Sequence, residues 1–261
     1  MRSTFLERYV QGASPIHRLD ARAKLLATLA FVLATSLMPP CAWHALALLG
    51  ALALAAIAVS RLSLLEALKR SSLVLPFAGM VAVSLPFTRA GESLWSAHLL
   101  GWTLTLTDQG LRAFASLLVK AWLSVWVSGL LVATTPFTEL LAGMRGLYIP
   151  NILVTLIGFT YRYLFVLVDE AMRLQTARDA RSVGSGGSLF WRAKVLGAMV
   201  GSLFIRSYER SERIYQAMVS RGYDGQVLTM ARPYWRARDL WATIAWGAAL
   251  AAILALGWMT A

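Results

Sequence analysis

The sequence predicts an all-α integral membrane protein with about five transmembrane helices and three cytoplasmic or interfacial helices. Of the 261 residues, 58% are hydrophobic and 15% are charged, and the mean hydropathy is +0.60. The hydrophobic residues occur in long runs that approach the thickness of a bilayer. The net charge of +12 is uneven, since residues 170–238 carry twelve Arg or Lys against five Asp or Glu. In a membrane protein such a bias indicates a cytoplasmic segment rather than a nucleic-acid site, so we expect no nucleic-acid partner.

The first two spans are predicted at residues 23–38 and 42–60, as a hairpin with a short connection. Pro39 and Pro40 end the first span because proline cannot continue a helix. Basic residues flank the pair on both sides: Arg18, Arg22 and Lys24 before it, and Arg61, Lys69 and Arg70 after it. Because Lys and Arg accumulate in cytoplasmic loops, the N-terminus is predicted to be cytoplasmic and the hairpin tip to face outward.

The third span is predicted at residues 73–87, with kinks at Pro76 and Pro86. The stretch that follows carries little charge and is assigned to the outside. Its TLTLT alternation predicts a short strand or an extended turn. The fourth span is predicted at residues 111–133 and returns the chain to the cytoplasm.

The apolar run at residues 152–168 is predicted to dip into the membrane or lie along its boundary without crossing it. A crossing would place the basic segment outside, against the charge bias. It would also place Arg162 near mid-bilayer, at a cost of roughly a few kcal/mol. The fifth span is then residues 240–259, which leaves the C-terminus outside.

Three helical blocks are predicted between the fourth and fifth spans. They are PFTELLAGMRGLYIP, which closes at Pro150, then Asn151 to about Arg181, and then about Leu189 to Arg221. Glycines follow both long blocks and indicate helix ends, because glycine readily adopts the left-handed conformation. The predicted division is a membrane domain at 1–134, a coupling segment at 135–238 and a last transmembrane helix at 239–261.

The two long blocks carry residues at helical spacing that predict ion pairs and a packing face. Asp169 with Arg173, and Glu209 with Arg213, have the spacing of an ion pair on one helix face. A further face is suited to packing against a partner, and it consists of Phe204, Tyr208, Ser211 and Tyr215.

Each long block ends on an arginine between small residues, in Ala180-Arg181-Ser182 and in Ser220-Arg221-Gly222. The helix dipole favours a cation at a C-terminus, which is a sufficient reason for one such arginine. Two in tandem fit a docking role equally well. A guanidinium offers five donors and a planar face, which suit an acidic or carbonyl-lined groove.

The sequence resembles the T component of energy-coupling factor (ECF) transporters, in the cobalt-type, CbiQ-like branch. SPIHRLDARAKLL is similar to the family's opening SPxHRLDPRxKLL, with Ala21 in place of Pro. TLTDQGL and TTPFTELLAGMRGLYIP flank the fourth span. ARS and QAMVSRGYDG match the family's two arginine motifs, with Ser220 where Ala is common. The resemblance covers nearly the whole chain.

This resemblance implies a non-catalytic coupling subunit in the inner cell membrane. It would link a membrane S component, which captures substrate, to two cytoplasmic ATPase subunits. Arg181 and Arg221, with their small neighbours, would each sit in a groove of one ATPase subunit. ATP is expected on those subunits, and no cofactor is expected on this chain. The expected substrate is cobalt, with nickel or a vitamin as alternatives.

Lys120, about nine residues into the fourth span, is a possible functional residue inside the membrane. Alternatively it snorkels, or pairs with the segment around Arg112 and Asp108. No metal site is predicted, because the three histidines share no apparent face; they are His17, His44 and His98.

Two rival functions remain open at this stage. An intramembrane enzyme would use Lys120 or the histidines, although the sequence shows no nucleophile and base together. SVGSGG lacks the Lys-Ser/Thr ending of a phosphate loop, so this stretch is not predicted to bind ATP. A self-contained carrier usually shows internal repeats, and none is found here.

Overall fold

The computed structural model describes residues 12, 14–40, 42–60, 68–69, 71–72, 74–88, 93–99, 102–181, 188–225 and 236–260. The chain divides into two compact units. One unit comprises Thr4–Gly143 with Pro233–Ala261, and the other comprises Met144–Arg232. The predicted domain boundaries at residues 135 and 238 stay predictions.

In chain order the elements are α1 (Ala21–Leu37), α2 (Trp43–Ser60), α3 (Leu75–Ala82), α4 (Leu85–Thr88), β1 (Ser93–Leu99), β2 (Trp102–Thr107), α5 (Asp108–Thr134), α6 (Phe137–Gly146), α7 (Asn151–Arg181), α8 (Leu189–Val219) and α9 (Ala237–Met259). The predicted all-α class is confirmed, with one β-hairpin added to it.

The first unit is built around a bundle of α1, α2, α5 and α9. The helices α1 and α2 each pack against both α5 and α9. The core between them is aromatic and aliphatic, with Phe31, Leu49 and Ala53 fully buried. Gly257 lets α9 approach the end of α1 closely, because a Cβ at residue 257 would lie 2.2 Å from Met38 Sδ.

The two helices predicted for the first hairpin are present as α1 and α2 with a short connection, and α1 begins two residues earlier than expected. The reason is local: the Asp20 side chain accepts a 2.8 Å hydrogen bond from the backbone N–H of Arg22 and caps the helix. Met38 is the C-terminal cap of α1, directly before the two prolines.

The third predicted span is broken into two helices, α3 and α4, so the prediction of one kinked helix at 73–87 needs correction. Pro76 stands in the first turn of α3, after the cap residue Val74, and Pro86 stands in the first turn of α4. A proline in a first turn starts a helix, because the N–H it lacks has no intrahelical partner there. Residue 73 lies outside the described residues.

The predicted strand at TLTLT is confirmed as part of β2. It pairs antiparallel with β1, which was not predicted as a strand. Thr107, the last residue of β2, donates a 2.9 Å hydrogen bond through Oγ1 to the carbonyl of Pro86. This contact joins the hairpin to α4 at the start of α5.

Within the described residues, four helices are long and apolar enough to cross a membrane: α2, α5, α7 and α9. The helix α1 has 17 residues, which extend about 25 Å, and α3 with α4 form a shorter apolar pair. Length and composition thus place α7 among the candidate spans. They carry no information on orientation, so the prediction that residues 152–168 do not cross stays a prediction.

The second unit contains α7 and α8, each 31 residues and about 45 Å long. Their limits agree with the two predicted long blocks. The end of α8 is fixed by Gly222, whose φ is +82°. The N–H of Tyr223 donates to the carbonyl of Met218 at 3.0 Å, and that of Gly222 donates to Val219 at 2.9 Å. These two bonds form a Schellman motif, which makes Arg221 the residue that closes the helix.

Candidate functional site

The two arginines that end the long helices are both exposed. Arg181 is the last residue of α7, and Arg221 is followed by the left-handed Gly222. Their neighbours Ala180 and Ser220 are exposed as well. Ser182 and the rest of SVGSGG lie outside the described residues.

Contacts within the second unit show how these arginines are arranged. Arg206 of α8 forms an ion pair with Glu170 of α7, and the two atoms lie 2.7 Å apart. Phe159, from earlier in α7, lines a groove together with Met218, from later in α8. Earlier residues of one helix therefore meet later residues of the other, and the helices cross antiparallel. Arg181 and Arg221 consequently lie at opposite ends of the pair.

Ion pairs on these helices were predicted only in part. The Glu209–Arg213 pair is present at 4.0 Å, between side chains that are more than half exposed, and such pairs contribute little stability. Glu170, and not its neighbour Asp169, forms the ion pair between α7 and α8, with Arg206 as its partner. The sequence spacing shows only pairs within one helix, so it did not reveal the Glu170–Arg206 pair.

A groove of about 390 Å³ lies between α7 and α8, and it is mainly apolar. Ser211 and Tyr215, from the face predicted to pack on a partner, line it. The other two members of that face stay open within the unit, with Phe204 69% and Tyr208 59% exposed. The partner for this face remains a prediction.

The first half of α7 carries a band of aromatic rings. Tyr161 and Phe165 contact edge to face with centroids 5.1 Å apart, and Phe159 lies 6.3 Å from Tyr163. Arg162 stands among them and is exposed. Tyrosine rings are typical of a membrane–water interface, but α7 is also long and apolar enough to cross, so the boundary position of residues 152–168 stays a prediction.

Lys120 has a hydrogen-bond partner at the end of α1, directly before the connection to α2. Its ammonium donates a hydrogen bond to the carbonyl of Met38, the residue that caps α1. A cation at a helix C-terminus is favourable, so this contact accounts for a lysine in an apolar helix. Arg112 forms its own ion pair with Asp108 at 2.9 Å. A functional role for Lys120 inside the membrane stays a prediction.

Lys24 has structural partners that the sequence did not reveal, although the sequence marks it as a flanking cation and as part of SPIHRLDARAKLL. It is 6% exposed, and its Nζ donates to the carbonyls of His17 at 3.1 Å and Thr134 at 3.2 Å. A further signal in the sequence is a lysine in the first turn of an apolar helix, four residues after the capping Asp20.

The histidines lie in separate elements. His17 precedes α1 and its Nδ1 lies 2.6 Å from Ser14 Oγ, whereas His44 belongs to α2 and His98 to β1. In the described part of the chain no three His, Cys, Asp or Glu side chains come together as metal ligands. The predicted lack of a metal site stays a prediction for the whole chain.

Comparisons with known proteins agree with the architecture. The model of a family described as cobalt transport protein, CbiQ, matches residues 12–231. A putative fused cobalt transport protein CbiMQ of Methanocorpusculum labreanum is 30% identical over 219 residues, which are 82% of this chain and 35% of that longer protein. The energy-coupling factor transporter transmembrane protein EcfT of Listeria innocua is 29% identical over 238 residues, 86% of each chain. The nickel permease LarQ of Lactiplantibacillus plantarum is 31% identical over 105 residues, 40% of this chain and 37% of the relative.

Proposed function

Because the chain belongs to the CbiQ family of cobalt transport proteins, a family of membrane transport components and not of enzymes, we propose that it is the coupling subunit of an ECF-type ABC importer. It is a multi-pass membrane protein, with its N-terminus on the cytoplasmic side. Two ATPase subunits bind and hydrolyse ATP, and a separate S component in the membrane captures the substrate. This chain joins them and carries out no chemistry of its own.

The placement of Arg181 and Arg221 at opposite ends of an antiparallel helix pair is the observation that carries this proposal. Two separate ATPase subunits require two separate docking points, and two antiparallel helices, each about 45 Å long, place one arginine at each end of the pair. Each arginine is exposed at a helix end between small residues, so a guanidinium can enter a groove without steric hindrance. Ala180 and Ser182 flank one docking point, and Ser220 and Gly222 flank the other.

Transmission of movement requires a stiff connection between the two docking points. The helices α7 and α8 are in contact, and the Glu170–Arg206 ion pair adds a link between them. A relative movement of the ATPase subunits therefore turns or tilts the helix pair as a whole. The open face that includes Phe204 and Tyr208 offers an apolar surface to the S component.

Cobalt is the proposed substrate, because the matching family and the fused CbiMQ relative are both named for cobalt transport. Nickel is the first alternative, since LarQ is named a nickel permease. A vitamin is the second alternative substrate, for the case in which this chain serves several S components. In each case the S component, and not this chain, binds the substrate.

The experiment is reconstitution of the chain with an ATPase pair and an S component in lipid vesicles. We expect uptake of labelled Co²⁺ that requires ATP and all subunits, with Ni²⁺ and vitamin uptake measured in parallel. Uptake by vesicles that contain this chain alone would contradict the proposal and indicate a self-contained carrier.

A further inference from the structure

The corner between α5 and α6 is short and well defined. Only Thr135 and Pro136 separate the two helices. Thr135 is extended, at φ −135° and ψ 118°, as the residue before a proline prefers. The carbonyl of Pro136 accepts hydrogen bonds from the N–H groups of Glu139 at 3.0 Å and Leu140 at 3.1 Å. The direction of α6 is thus set within two residues of the end of α5.

Lys24 fastens this corner to α1. Its ammonium donates a 3.2 Å hydrogen bond to the carbonyl of Thr134, the last residue of α5 and the residue directly before this corner. Thr134 is itself buried, and its hydroxyl donates to the carbonyl of Leu130 at 2.8 Å. A buried ammonium bound to two carbonyls resists displacement, because an unpaired charge in this environment would be costly.

Gly143 provides a second attachment, two turns further along α6. A Cβ at this position would lie 3.1 Å from Ala21 Cβ and 3.2 Å from Leu25 Cδ1. The backbone of α6 therefore rests directly on the first turns of α1, and a side chain at residue 143 requires Ala21 or Leu25 to shift by a few tenths of an ångström. Along α6 the compact unit that contains the bundle ends at this glycine, and it resumes only at Pro233.

The connection from α6 to α7 has a different character. Tyr148 adopts a φ of +60° and is 98% exposed. A left-handed conformation is unfavourable for a bulky non-glycine residue, and no burial of the ring compensates for it. The ring of Tyr148 therefore contributes no packing to this connection, whereas the corner before α6 is held by buried side chains.

We propose that residues 137–143 of α6 form a rigid extension of the membrane bundle, with Lys24 and Gly143 as its positioning residues. Movement of the coupling helices then begins after Gly143, and α6 passes force directly to α1 and α5. This inference rests on the proposed coupling function, since it names the point at which the moving part is attached.

A disulfide between α1 and α6 tests the rigidity. Ala21→Cys with Gly143→Cys, in a Cys41→Ser background, places two Cβ atoms close to the separation that a disulfide needs. In the reconstituted complex we expect the cross-linked form to import substrate and hydrolyse ATP as fast as the reduced form. Loss of uptake on cross-linking, restored by reductant, would overturn the inference. The single variant Gly143→Cys, treated with the same oxidant, controls for the substitution itself.

Lys24→Met tests the positioning role, with Lys120→Met as the matched control. Both substitutions remove a lysine that donates to a helix-end carbonyl, but only Lys24, which is buried, holds the corner of α6. We expect Lys24→Met to lower the substrate imported per ATP hydrolysed several-fold, with the ATPase pair still bound, and Lys120→Met to keep the wild-type ratio.

The role of Lys24 would be refuted if both variants imported as much substrate per ATP hydrolysed as the wild type. It would also be refuted if both substitutions lowered this ratio equally. Gly143→Leu against Gly129→Leu repeats the comparison, because the space around Gly129 is open. A wild-type complex without ATP-driven uptake would instead refute the proposed function itself, so the two failures are distinguishable.

Discussion

Lys24 Nζ, in the first turn of α1, donates a hydrogen bond of 3.2 Å to the carbonyl oxygen of Thr134, the last residue of α5. The relationship is reciprocal. Lys120, on α5, donates to the carbonyl of Met38, which caps α1. Each of two packed helices thus supplies a lysine to the C-terminal end of the other, where the helix dipole favours a cation. Both lysines are accounted for without a substrate or a catalytic role.

The docking role of the helix ends predicts a charge-reversal phenotype. Arg181→Glu with Arg221→Glu is expected to abolish co-purification of the ATPase pair, because a carboxylate cannot donate hydrogen bonds to a carbonyl-lined groove and is repelled by an acidic one. The matched control is Arg173→Glu with Arg213→Glu, which makes the same charge change at exposed positions on the same two helices. Affinity purification from detergent, followed by quantification of each subunit, gives the result. Retained assembly and transport in the Arg181/Arg221 variant would exclude the docking role.

The capping role of Lys120 predicts a loss of stability without loss of function. Lys120→Met leaves the carbonyl of Met38 without this donor, and an unsatisfied buried carbonyl costs about 1–3 kcal/mol. We therefore expect a lower thermal unfolding midpoint in detergent, together with wild-type uptake per assembled complex. If the variant assembles with wild-type stability but does not transport, Lys120 acts in function and not in capping.

The sequence predicted the features that depend on neighbouring residues and missed those that depend on residues farther along the chain. The limits of α7 and α8 were predicted because their signals are local: a glycine after Arg221 ends a helix wherever the rest of the chain lies. The break between α3 and α4 was missed, since the same proline starts a helix or bends one depending on where the preceding residues go.

The contacts of the candidate site were harder to predict than its residues. The two arginines were found from their sequence neighbours, but their placement at opposite ends depends on the antiparallel crossing of α7 and α8. The partners of Lys24 were missed because one of them is a backbone carbonyl 110 residues away. Every residue has a carbonyl, so no residue type marks the partner.

The hydrogen bonds of Ser71 predict that this residue contributes to the free energy of unfolding of the bundle. Its buried Oγ accepts hydrogen bonds from the indole N–H groups of Trp122 at 2.6 Å and Trp126 at 2.8 Å, and it donates to the carbonyl of Leu68 at 3.0 Å. Ser71→Ala leaves two indole donors without their acceptor, which we expect to cost about 1–3 kcal/mol of unfolding free energy. Ser72→Ala, one residue later and exposed, should be nearly neutral. The two variants are compared by thermal unfolding in the same detergent, and equal midpoints would contradict the role of Ser71.

The orientation of α7 is the feature on which the charge pattern and the hydropathy differ, and single cysteines can decide it. Asn151 and Ala180 are exposed near the two ends of α7. If the helix lies along the cytoplasmic boundary, cysteines at both positions react with a membrane-impermeant maleimide only after the cells are opened, because both ends are inside. If it crosses, one of the two reacts in intact cells. Thr260→Cys gives a second reading of the same alternative, since the C-terminus is predicted outside only if α7 does not cross. Labelling of Asn151→Cys or Ala180→Cys in intact cells would show that α7 spans the membrane, and it would then place Arg181 on the opposite side from the start of its own helix.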